Sequence, residues 1–247
     1  MLQPWRTGKV IRIEQQTAST RRFFIQVPEL DVFDFKPGQF VTLDLPIHEK
    51  TNKRWRSYSI ASNPDGTNIF ELCIVLLEGG AGTTYLFNEI KEGSELTLRG
   101  PVGVFTLPEP MEKDLFLVCT GTGIAPFRSM IKNIILHKIE HQKIHIIFGC
   151  RTKEDVLYLD EMKTLMQEDD NFIFHVAYSR EEVNDANAHN GYVHPVYENI
   201  CTQNKIDDTL KPANFYLCGW RGMIDEATKK IMELGYEKKA IHVEIYG

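Results

Sequence analysis

Around Leu107-Pro108-Glu109-Pro110 the spacing of apolar residues changes, and that change limits the fold more than any other feature of the chain. Before it, from residue 8 to about 107, short runs such as Lys9-Val10-Ile11-Arg12-Ile13, Arg22-Phe23-Phe24-Ile25-Gln26-Val27 and Gln39-Phe40-Val41-Thr42-Leu43-Asp44-Leu45 carry period-two alternation or β-branched content. Alternation sends successive side chains to opposite faces, so these runs read as strands. Turn chemistry at Lys36-Pro37-Gly38, Asn63-Pro64-Asp65-Gly66, Glu78-Gly79-Gly80 and Lys91-Glu92-Gly93 interrupts them often enough to predict an antiparallel β-barrel. Helix is sparse there, with Thr83 to Glu89 the best short candidate.

Beyond the prolines the repeat is different. Leu115-Phe116-Leu117-Val118-Cys119 is a continuous apolar run, followed by a glycine turn and a helical stretch from Phe127 to Lys138. Strands at about 143–149, 172–178, 214–218 and 240–246 alternate with helical segments near 156–168, 194–203 and 221–235. That alternation predicts an α/β domain with a parallel sheet covered on both faces. The expected organisation is two domains, a β-barrel over 1–109 and an α/β domain over 110–247.

Composition narrows the function classes. No run approaches the roughly 18 to 20 apolar residues of a membrane span, and the start, Met1 to Arg6, lacks the pattern of a signal peptide. The expectation is a cytoplasmic protein without membrane insertion. A net charge of −6 argues against nucleic-acid binding. The five cysteines, at 73, 119, 150, 201 and 218, show no CxxC pairing and no plant-type iron–sulfur spacing, so no structural metal or cluster is expected.

Thr120-Gly121-Thr122-Gly123-Ile124-Ala125-Pro126 sits between a buried strand and a helix. Glycines there let the backbone approach a pyrophosphate, and the free N–H groups at the helix start attract the anion. In such a sheet the remaining ligand contacts come from turns at neighbouring strand ends. Arg151 follows one strand, and Ser179-Arg180 follows the next. Two guanidinium groups and a hydroxyl suit a dianionic 2′-phosphate and favour NADP over NAD. The alternative is that either arginine pairs with Asp155, Glu181 or Glu182, and Tyr192 is equally an adenine contact or a packing residue.

The whole chain resembles the ferredoxin–NADP reductase family, through Arg56-Ser57-Tyr58-Ser59, Gly80-Ala81-Gly82-Thr83, Gly121 to Pro126, Cys218-Gly219-Trp220-Arg221-Gly222-Met223 and the tail His242 to Gly247. The resemblance implies a flavoenzyme that passes hydride between NADPH and FAD. Arg56 would neutralise the FAD pyrophosphate, with Ser57 in the same motif and the amides of Gly82 and Thr83, plus the Thr83 hydroxyl, forming an anion cradle. Tyr58 would lie against the isoalloxazine and Ser59 would hydrogen-bond at flavin N5. Thr122 and Gly123 would face the nicotinamide dinucleotide. Cys218 would leave room for the nicotinamide ring, Glu244 would order the site, and Tyr246 would stack on the flavin face that nicotinamide must occupy. Two departures stand out: Gly247 follows Tyr246, and Leu72-Cys73-Ile74-Val75-Leu76 lacks a basic residue near the FAD phosphates, for which Arg99 is a candidate substitute.

A flavin accepts two electrons together and can release them singly, so the implied partner is a separate ferredoxin or flavodoxin. The cluster Lys50, Lys53, Arg54 and Arg56 would steer such acidic proteins. A reductase component of a multicomponent oxygenase is the alternative, and a non-catalytic flavin-binding subunit the lesser one. Direction of electron flow and oligomeric state are not legible in the residues.

Overall fold

In the computed structural model, which describes residues 3–246, the chain forms two compact units. One holds the residues up to Leu107 together with Ala125–Asn133, and the other holds Pro108–Ile124 and the residues from Ile134 onward.

The first unit is built on strands β1 (Trp5–Thr17), β2 (Thr20–Gln26), β3 (Phe40–Asp44), β4 (Trp55–Ser59) and β5 (Ile69–Val75), helix α1 (Ala81–Asn88) and strand β6 (Glu95–Val102). The strands form one antiparallel sheet in the order β4-β3-β6-β1-β2-β5. An isolated antiparallel bridge between Ile60 and Leu72 brings its two edges together, which is the barrel closure that the turn spacing predicts. Period-two alternation places Val10, Phe23, Ile25, Leu43, Phe70 and Leu98 in the interior, all fully buried. The predicted helical stretch is α1, which begins two residues earlier than expected.

The second unit carries β7 (Asp114–Thr120), the ends of α2 (Ile124–His137, of which Ala125–Asn133 belong to the first unit), β8 (Ile144–Cys150), α3 (Leu159–Glu168), β9 (Phe172–Tyr178), β10 (Ala188–Asn190), α4 (His194–Gln203), β11 (Ala213–Trp220), α5 (Arg221–Leu234) and β12 (Ile241–Tyr246). All six strands are parallel, in the order β10-β9-β8-β7-β11-β12. Leu115 to Cys119 are all buried, as a strand covered on both faces requires. No helix among the described residues is long and apolar enough to cross a membrane.

Three local features depart from the sequence reading. Helix α3 starts at Leu159 because a 3₁₀ turn, Lys153–Asp155, precedes it, closed by a reciprocal Thr152 and Asp155 capping box. Helix α2 ends on Lys138 at φ 49°, a left-handed cap without the usual glycine. Strand β10 is only three residues long and carries no periodic signal.

Candidate functional site

In the barrel unit, alternation along β4 sorts the flavin-motif residues by face. Arg56 and Tyr58 share one face, opposite Leu43 and Val41 of β3. Ser57 points the other way and hydrogen-bonds Thr42 Oγ1 at 3.0 Å, so its hydroxyl does not join Arg56 and Tyr58. Ser59 ends the strand and is 5% exposed. Burial pushes the Tyr58 phenol up to about 12, with Arg56 opposing that shift, so Tyr58 is a neutral hydroxyl donor.

Arg56 lies over the start of α1. A Cβ at Gly82 would come within 2.9 Å of Arg56 Cγ, so only glycine admits the arginine stem there. The guanidinium donates to the carbonyls of Lys53 at 3.1 Å and Trp55 at 2.8 Å. No carboxylate among the described residues pairs with it. The first-turn amides of Ala81, Gly82 and Thr83 have no intrahelical acceptor, and no side chain caps them. Thr83 is placed differently from expectation: its hydroxyl accepts from Leu77 N at 3.1 Å and donates to Gly80 O at 3.1 Å, so it shapes the loop while its amide remains for an anion. An uncompensated arginine beside open helical amides fits a pyrophosphate. Arg99 lies elsewhere, between the rings of Trp5 and Trp55 at 4.8 and 5.1 Å. The basic cluster also divides: Arg54 is paired with Asp44 at 2.7 Å, leaving Lys50 and Lys53 exposed.

In the α/β unit the turn Gly121–Gly123 caps β7 and leads into α2, with Pro126 in the first helical turn. Gly121 has φ 52°, and a Cβ at Gly123 would stand 2.3 Å from Cys218 O. Glycine at 123 therefore brings the turn against the end of β11, while Thr122 lies half-buried between them. Thr120 Oγ1 is buried without a hydrogen-bond partner, beside Gly219, where a Cβ would approach it to 2.5 Å. The sequence reading did not single out Thr120 as a ligand contact. Its signal was the position immediately before the glycine turn.

Parallel pairing of β11 with β12 sets Cys218 beside Glu244 and Trp220 beside Tyr246. The Cys218 thiol is fully buried; that burial, then Glu244, holds its pKa well above the ordinary value, while a hydrogen bond with the Tyr246 side chain opposes them. Three predicted residues thus meet at one strand end. The residue after Tyr246, Gly247, lies outside the described residues.

At the neighbouring strand ends Cys150 pairs with Tyr178, which brings Arg151 and Ser179-Arg180 together. Arg180 N donates to Arg151 O at 3.0 Å, and Ser179 Oγ donates to Cys150 O at 3.1 Å. Two of the three nearby acids are already engaged, and Glu182 makes no ion pair with either arginine among the described residues. Asp155 accepts from Thr152, and Glu181 accepts from Lys153 N at 2.7 Å. Among the described residues neither Arg151 nor Arg180 makes an ion pair, and both are exposed, with Ser179 half-buried beside them. Tyr192, after Gly191 at φ 105°, is 72% exposed.

Comparisons with known proteins agree with this layout. Residues 7–107 match the oxidoreductase FAD-binding domain and residues 117–229 the oxidoreductase NAD-binding domain. The fold and these matches define an FAD- and NAD-binding oxidoreductase, an enzyme acting on NAD(P)H. Ferredoxin–NADP reductase B of Sorangium cellulosum is 30% identical over 240 residues, covering 97% of this chain and 96% of that protein. The glycine betaine monooxygenase reductase subunit of Pseudomonas aeruginosa is 29% identical, covering 99% of this chain and 66% of that longer protein. A ferredoxin NADP+ reductase from Neisseria gonorrhoeae, solved with FAD and NADP, has the same fold at a TM-score of 0.80 and 24% identity, with 98% of each chain covered. The chain belongs to the ferredoxin–NADP reductase family.

Proposed function

We propose that this enzyme transfers hydride from NADPH to FAD and passes single electrons to a separate acidic carrier, a ferredoxin or flavodoxin. The observation that carries the choice of NADPH is the pair of unpaired guanidinium groups, Arg151 and Arg180, at adjacent strand ends while Asp155 and Glu181 are occupied elsewhere. A dianionic 2′-phosphate is the ligand such a pair would hold best. FAD would be held through Arg56 and the amides of Gly82 and Thr83, with Tyr58 against its ring and Ser59 toward its reactive nitrogen. FAD supplies the conversion between two-electron and one-electron chemistry. Thr122 and Gly123 would meet the dinucleotide, Cys218 would border the nicotinamide, and Glu244 and Tyr246 would order that site.

The reductase component of an oxygenase is a second reading, supported by the glycine betaine monooxygenase reductase subunit among the relatives. Anaerobic mixing of the purified yellow protein with NADPH or NADH tests the core of the proposal. Bleaching of the flavin band that is faster and half-saturates at lower concentration with NADPH is the expected result. A preference for NADH overturns the phosphate argument, and no bleaching with either overturns the enzyme reading. Adding a ferredoxin, a flavodoxin or an oxygenase component to the reduced enzyme then distinguishes the acceptors by which one is reduced.

A further inference from the structure

Inside the first unit lies an ion-pair cluster that the cofactor motifs do not use. Glu71 of β5 is 1% exposed and Arg128 of α2 is 3% exposed. Arg128 Nη1 donates to Glu71 Oε2 at 3.0 Å and to the carbonyl of Ala61 at 2.7 Å. On its other side Glu71 accepts from Arg22 Nε at 2.7 Å and Nη2 at 2.8 Å, a two-pronged contact. Arg22 in turn reaches Glu14 at 2.8 Å. Burying two charges this deeply costs several kcal/mol per ion before they pair, and replacing such pairs by apolar residues is often harmless to stability. Stability alone is therefore a poor reason for this arrangement.

What the cluster fixes is the chain immediately after Ser59. Ala61 N donates to Glu71 O at 2.8 Å, Ala61 O accepts from Arg128, and Glu71 N donates to Ser62 Oγ at 3.0 Å. Ile60 N is bonded to Gln39 O at 3.0 Å. Every polar backbone atom of Ala61 is thus taken, one of them by a helix side chain. That helix is α2, whose residues Ala125–Asn133 belong to the first unit, where Phe127 meets Phe105 with ring centroids 5.9 Å apart.

We propose that Arg128, clamped by Glu71, is a positioning residue for hydride transfer: its guanidinium fixes the backbone two residues beyond Ser59. The inference rests on the reading of Ser59 as the flavin N5 partner. Hydride transfer needs donor and acceptor at near-contact distance, so a small displacement of the strand end that carries Ser59 lowers the rate at saturation while leaving the binding groups in place. Lysine at 128 keeps the charge, but its ammonium sits one bond short of the Nη1 position and lacks the fixed planar geometry with which that one nitrogen meets both Glu71 and Ala61.

The test uses the FAD-loaded full chain with Arg128→Lys, Arg128→Met and Glu71→Gln, followed anaerobically by rapid mixing with NADPH. Flavin content and thermal midpoint are measured on each variant. The expected result is that the Lys variant binds FAD at wild-type stoichiometry and half-saturates within about threefold of wild type, while its saturating rate falls about tenfold and that of the Met variant about a hundredfold. A purely structural ion pair would move the thermal midpoint and leave the saturating rate of the loaded protein alone. A rate within about twofold of wild type in the loaded Lys variant overturns the inference, as do variants that fail only by losing FAD or unfolding. If the wild type bleaches and the variants keep pace, only this inference is lost. If the wild type bleaches with neither nucleotide, the underlying reading is lost and this inference with it.

Discussion

Arg180 shows how one side chain can be assigned by what its neighbours are doing. Its nearest acid in sequence, Glu181, accepts the Lys153 amide at 2.7 Å and faces the Lys153 ammonium at 4.0 Å, which leaves the guanidinium without an ion pair among the described residues and supports the proposed phosphate contact. A guanidinium bound to a phosphate dianion contributes a charged hydrogen bond that NADH cannot supply. Arg180→Ala should raise the Michaelis constant for NADPH about ten- to hundredfold and leave that for NADH within about twofold. Steady-state kinetics with both nucleotides measure this, and equal losses would mean that Arg180 serves only the turn. Residue types and spacing were enough to nominate Arg151 and Arg180, but the identity of the pairing acids was not. Lys153 and Thr152 took Glu181 and Asp155 through a local capping arrangement that composition does not reveal. The same holds for Ser57, nominated by its motif position, whose face is set by the register of β4 on β3. Glu71 did leave a signal, a lone carboxylate inside Phe70-Glu71-Leu72-Cys73-Ile74. Its partner Arg128 is 57 residues away, beyond the reach of local pattern.

At the scale of elements, the change of period at Leu107 to Pro110 was sufficient for both sheets, because alternation and continuous apolar runs are direct consequences of one-face and two-face burial. Short β10 escaped, since three residues carry no period; its parallel ladder with β9 is joined by side-chain contacts. His175 of β9 joins His145 of β8 and His189 of β10, each nitrogen pair 3.1 Å apart, in a row that continues through Phe116 to Phe215 by ring stacking. Burial pushes His145 down to about 4 and His175 down to about 3, from an ordinary 6.5. Asp114 opposes this at His145, while Lys143 and Lys211 reinforce it, and the neighbouring imidazoles reinforce it at His175. With the folded pKa below the unfolded one, the unfolded chain binds more protons below about 6.5. Stability is therefore full above about pH 6.5 and is lost progressively as pH falls toward the folded values, on the order of 2 kcal/mol for each of His145 and His175 by pH 5. Denaturant unfolding of the protein between pH 7.5 and 5 should show this slope, and His175→Phe should flatten it; an unchanged slope in that variant would assign the acid sensitivity to other groups.

For the whole molecule the proposed partner sets a problem of charge, because a chain of net charge −6 would have to meet an acidic electron carrier quickly. Long-range repulsion between two acidic proteins is screened beyond about 8 Å at physiological ionic strength, so the local charge around the contact decides the encounter. The basic segment before the flavin motif is smaller than its residues suggest. Arg54 is neutralised by Asp44, and Arg56 is turned over Gly82, so Lys50 and Lys53 remain as the exposed charges. Neither lysine belongs to the cofactor sites, and reversing both leaves the hydride step untouched on this account. Lys50→Glu combined with Lys53→Glu should slow reduction of an acidic ferredoxin or flavodoxin by the prereduced enzyme about three- to tenfold at low ionic strength. Flavin bleaching by NADPH should stay at the wild-type rate. The two proteins should converge near 1 M salt, where screening extends only about 3 Å and steering no longer distinguishes them. Rapid-mixing rates across a salt series provide the measurement. A variant that matches wild type at every ionic strength would place the docking surface away from this segment, and one slowed equally at low and high salt would make the lysines short-range contacts instead of steering charges.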